Sequence, residues 1–95
     1  MIETNSIRDI VQRINERGPF APQAIRIEVA LGMSGLNECS IISREAGNHS
    51  MAQLNLDKSL KPDWILNQLK TYSIPYNVSD VQEVNGRYSV TLSPK

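Results

Sequence analysis

A chain of 95 residues is long enough for a single α+β domain over 1–95 with its own core, and too short to enclose a deep catalytic cleft. Its ten Lys and Arg balance ten Asp and Glu, which excludes the basic excess that general nucleic-acid binding draws on and leaves little charge repulsion against self-association. One cysteine, Cys39, excludes an internal disulfide and a multi-cysteine metal cluster, and no apolar run approaches the roughly 20 residues that span a bilayer, so a reducing, cytoplasmic location off the membrane is expected.

Ser6-Ile7-Arg8-Asp9 reads as a capping box with Asp in the Glu position. Ile7, Ile10, Val11 and Ile14 then recur at helical spacing until Gly18-Pro19, which predicts a first helix over about 6–17 with Arg8, Gln12, Arg13, Glu16 and Arg17 on its solvated face. Phe20-Ala21-Pro22 is a stiff connector, since each proline restricts itself and the residue before it. From Ala24 to Leu31 the pattern changes to strict alternation rich in β-branched residues, a strand whose Ile25, Ile27, Val29 and Leu31 face the core. Gly32-Met33-Ser34-Gly35 ends it as a turn.

Leu36 to Ala46 fits two periods. It reads as a second strand paired back on the first, the favoured reading, but Leu36, Cys39, Ile42 and Ala46 also lie at helical spacing before Gly47. Gly47-Asn48-His49 signals a turn, and Ala52, Leu54 and Leu56 alternate with Met51, Gln53 and Asn55 as a further strand. Pro62 suits a first helical position and Asp63 the positive end of the helix dipole; the second helix is expected over about 62–73 with Ile65, Leu66, Leu69 and Tyr72 inward and Trp64 at the margin. After Ile74-Pro75-Tyr76-Asn77, Asn85-Gly86 separates Val81–Val84 from Arg87–Leu92, the strongest short hairpin signal, because both residues tolerate the positive φ of a type I′ turn. One face of that hairpin carries Val81, Tyr88, Val90 and Leu92.

The expected architecture is therefore two helices on one face of a mainly antiparallel sheet of about five strands, in the order α-β-β-β-α-β-β, ending in an Asn-Gly hairpin. The opposite face stays wet, and Arg87–Leu92 is expected to form an exposed terminal edge.

Candidate chemistry is sparse. Gly32, Met33, Ser34 and Gly35 have the Gly-x-x-Gly form with which KH domains clamp a nucleic-acid backbone, provided a helix follows; Met33-Ser34 supplies no cation, and two glycines are common at strand turns. The order helix, three strands, helix also occurs in double-stranded-RNA-binding domains, but Lys58 and Lys61 at the second helix are offset by Asp57 and Asp63. Cys39 and His49 are the strongest nucleophile, base or soft-ligand candidates; a thiol in an apolar segment reads as a small core residue and a histidine in a turn as a solvated one. Asp57, Asp63, Asp80 and Glu83 are dispersed. The expectation is no catalytic residue, no metal and no cofactor.

Trp64, Tyr72, Tyr76 and Tyr88 all fall in the last third, and Tyr and Trp serve as interface anchors elsewhere. Together with Val90 they are the candidate interface. The expected function is a small non-enzymatic protein-interaction domain, a regulator, adaptor or subunit, acting through an open sheet face or edge, with a homodimer through Arg87–Leu92 or through the Trp64 margin. The alternative is a nucleic-acid-binding module using the Gly32–Gly35 loop or the C-terminal hairpin.

Overall fold

The computed structural model describes residues 5–16, 24–33, 35–45 and 48–95. Gly18-Pro19, the Phe20-Ala21-Pro22 connector, Ser34, Ala46 and Gly47 lie outside the described residues.

Helix α1, Ile7–Asn15, starts at the capping box: the Ser6 backbone N–H donates to Asp9 Oδ2 at 2.6 Å and the Ser6 hydroxyl to the same oxygen at 3.2 Å. The backbone bond holds the Asp9 carboxyl below its ordinary range. Ile10 and Ile14 are fully buried, while Gln12, Arg13 and Glu16 are exposed.

Three antiparallel strands follow as a meander, β1 (Ala24–Leu31), β2 (Asn37–Glu45) and β3 (Asn48–Leu56). Residues 37–45 are thus a strand, which settles the ambiguous segment: Cys39 and Ile41 alternate inward opposite Val29 and Ile27. Asn48 and His49, expected in a turn, belong to β3 and pair with Glu45 and Arg44, because ladder bonds to β2 outweigh a weak local preference. Helix α2 (Pro62–Gln68) begins with Pro at its first position and tightens into a 3₁₀ turn over Leu69–Thr71. Asn37, 2% exposed, ties down the connection before α2: its Nδ2 donates to the Asp57 and Leu60 carbonyls at 3.0 and 2.7 Å.

Three more strands complete the sheet: β4 (Tyr76–Val78), β5 (Gln82–Val84) and β6 (Arg87–Pro94). The β5–β6 connection is Asn85-Gly86, with φ of 53° and 79°, between the closing pair Val84 and Arg87. The sheet has six strands in the order β3-β2-β1-β6-β4, with β5 also on β6, and every strand pairing is antiparallel. The sixth strand is Tyr76–Val78, which reads from sequence as a lead-in to the hairpin.

Two further expectations are corrected. Arg87–Leu92 is not an edge: β6 pairs with β1 on one side and with β4 and β5 on the other. Helix α2 packs on β1 and β6, so the chain crosses the sheet and returns beside its most apolar strand. Leu31 has core parity but occupies the last register pair of β1, opposite Asn37, and is 68% exposed.

The core is one-sided. Ile25, Ile27 and Val29 of β1, Leu54 and Leu56 of β3, and Val90 and Leu92 of β6 form one buried cluster with Ile10 and Ile14 of α1 and Ile65, Leu66 and Leu69 from the second helical segment.

Candidate interaction surface

Alternation that sends one set of side chains into the core sends the intervening set to the opposite sheet face. The register lines these up into rows. Gln53, Ser40, Glu28, Ser89 and Gln82 stand opposite one another in succession across β3, β2, β1, β6 and β5. A second row, Met51, Ile42, Arg26 and Thr91, lies beside it. Arg26 Nε meets Glu28 Oε1 at 3.0 Å along one strand, an exposed pair of the kind worth about 0–1 kcal/mol. The first row is wholly polar, and Met51 and Ile42 bring the second its apolar end.

This face holds only shallow relief. Glu28, Ala30, Glu38, Ser40, Gln53 and Arg87 line a depression of about 160 Å³, below the roughly 300 Å³ at which small-molecule pockets begin. A wider open groove of about 580 Å³ runs between the β1–β2 turn and the Asn85-Gly86 tip, where Leu31 and Met33 are exposed. Among the described residues no group of three or more His, Cys, Asp or Glu side chains converges to hold a metal.

The two sheet edges differ. Strands β4 and β5 are two short pieces along one side of β6, three residues each. Between the register pairs Val78↔Leu92 and Gln82↔Ser89, residues 79–81 oppose only Val90 and Thr91, so the edge carries a one-residue bulge. Ser79 bridges it: its N–H donates to the Thr91 carbonyl at 3.0 Å, and its Oγ accepts the Thr91 N–H at 2.8 Å. Asp80, paired with Lys70 Nζ at 3.3 Å, and Glu83 add charge. Shortness, a bulge and charges are the standard protections of an edge. The other edge, β3, runs for nine residues, Asn48-His49-Ser50-Met51-Ala52-Gln53-Leu54-Asn55-Leu56, without a charge, a proline or a glycine. Among the described residues only Asn5 meets its outer side: the Asn5 N–H donates to the Asn55 carbonyl at 2.6 Å, and the Asn55 N–H donates to Asn5 Oδ1 at 3.2 Å.

The residues predicted as an interface do not share a surface. Tyr76 and Val90 are each 2% exposed and belong to the core; Tyr72 and Tyr88 are half-buried against it. Trp64, 45% exposed on α2, is the one large exposed aromatic among the described residues. Gly32-Met33-Ser34-Gly35 joins two strands, so the helix that a KH-type clamp requires is missing. The Gly32 N–H donates to the Leu36 carbonyl at 2.8 Å and Gly35 takes φ of 84°, the geometry of a short hairpin loop. Ser34 itself lies outside the described residues. Cys39 is fully buried opposite Leu54, and burial pushes its thiol up to about 12. His49 sits five positions farther along β3, roughly 17 Å at about 3.4 Å per residue, too far for a Cys-His pair.

Sequence reading missed two features. The polar row is legible as the outward half of the alternation that names the core, and the uncharged run Asn48–Leu56 is legible as composition; that the run forms an edge is not. No helix among the described residues is long and apolar enough to cross a membrane. Comparison of the chain with models of protein families, with curated proteins and with solved structures finds no match.

Proposed function

We propose that this chain is a non-enzymatic protein-interaction domain, a subunit or adaptor that binds through the uncovered face and edge of its sheet, with a second copy of itself among its partners. One observation carries the reading: among the described residues a six-stranded sheet is packed on one face only, and its other face presents a polar row across five strands with no deep pocket in it. Such a surface offers area and register to a macromolecule rather than enclosure to a small substrate.

The test is copurification of the tagged protein from its native host beside the double variant Ser40→Arg, Ser89→Arg, which sets two long cations in the middle of the row. Recovery of a stoichiometric protein by the parent and its loss from the variant supports the reading. Recovery of nuclease-sensitive material instead, or the same proteins from both, overturns it.

A further inference from the structure

We propose that β3 is a self-association edge, and that two copies pair their β3 strands antiparallel about a two-fold axis at Met51, joining two sheets into one of twice the width. The inference rests on the interaction-domain reading above and names one partner, a second copy of this chain.

The N–H and C=O of Asn55 both engage Asn5, so they point away from β2. Backbone groups alternate direction along an antiparallel strand, so those of Gln53, Met51 and His49 point outward as well, while those of Ala52 and Leu54 serve the ladder with β2. Asn5 therefore closes the edge at Asn55, and among the described residues nothing meets the outward groups at 49, 51 and 53. That set is symmetric about Met51. A two-fold axis there pairs Met51 with Met51 of the second copy and residues 49 and 53 with their counterparts 53 and 49, each pair exchanging two N–H···O bonds without drawing on Asn55. An axis one residue further along would set 49 against the closed Asn55.

Charge selects a copy as the occupant. The edge strand has no formal charge and the whole chain no net charge, so a second copy meets no net repulsion, and nothing on the edge favours a charged peptide. The opposite edge is blunted by its bulge, by Asp80 and by its short strands. At the proposed axis the side chain of Met51, 68% exposed and beside Ile42 on the open face, would meet its counterpart.

The experiment combines mass, register and exchange. Light scattering at tens of micromolar is expected to report twice the mass of the chain. Met51→Pro removes an outward N–H that β2 does not use, and Met51→Lys sets like charges at the axis; both are expected to be monomers with circular dichroism unchanged. Met51→Cys is expected to form an intermolecular disulfide on mild oxidation, because paired Cα atoms there lie about 5.5 Å apart, within disulfide reach. Gln53→Cys, whose two copies would be roughly 14 Å apart, is not. Amide exchange at Met51 and Gln53 in the parent should slow as concentration rises. A monomeric parent overturns the pairing but leaves open binding to a different protein. A dimer that survives Met51→Lys, or that crosslinks at 53 rather than 51, overturns the β3 interface while retaining self-association.

Discussion

Burial pushes the Cys39 thiol up to about 12 from an ordinary 9.0, so the folded protein keeps that proton where the unfolded chain releases it. Between those values the unfolded state gains the free energy of ionisation and the native state does not. Stability should therefore fall as pH rises above 9, by about 1.4 kcal/mol per pH unit from this residue. Urea melts at pH 8 and pH 10 test it: the parent should lose more stability than Cys39→Ala over that interval, and equal losses would show that the thiol is not sealed. A backbone counterpart sits at Gly86, whose φ is 79° and whose missing Cβ would meet nothing within 4 Å. Space is not the constraint there, so Gly86→Val should cost about 1–3 kcal/mol through backbone strain alone, and Gly86→Asn distinctly less. Overlaid thermal melts of the parent and the Val variant would contradict this.

Among the elements, the bulged edge depends on one hydroxyl. Ser79 Oγ accepts the Thr91 N–H in place of a backbone carbonyl, because the extra residue between β4 and β5 moves the next carbonyl out of line. Ser79→Ala removes that acceptor at an exposed bond and should cost about 0.5–1.5 kcal/mol. Exchange of the Thr91 amide should rise more than that of Val90 or Leu92; uniform change along β6 would point to global destabilisation instead. The two strands that read alike from sequence, β3 and β6, end in opposite positions. Both alternate and both reach eight or nine residues, yet among the described residues β6 has strands on both sides and β3 a strand on one. Pattern tells which side chains of a strand face the core; it does not tell which strand finds two neighbours.

For the whole molecule, zero net charge and a mixed-sign open face predict indifference to nucleic acid. At about 0.15 M salt no shift of a short duplex or single strand is expected up to about 10 μM, inside the range where basic domains bind without sequence preference. A mobility shift that weakens steeply with added salt would restore the nucleic-acid reading. The candidate surface as a whole was half legible. Arg26, Glu28, Ser40 and Ser89 occupy the polar phase of patterns that also mark Ile27, Cys39 and Val90 as core, so membership of the open face could be read residue by residue. Tyr76 and Val90 look like contact residues for want of knowing that both side chains join the buried core cluster.

Local periodicity determined the element types: the helical stripe Ile7–Ile14, the alternation Ala24–Leu31, and the proline start of α2 are properties of short stretches, set by side-chain direction and backbone propensity that act within a few residues. Zero charge and the uncharged run Asn48–Leu56 are likewise properties of the chain itself. Only tertiary structure decided the strand order, the bulge at 79–81, the fate of the tyrosines and which edge stays open. Those follow from pairing between residues far apart in sequence, here the docking of β6 against β1 beneath α2, whose free energy no local pattern contains.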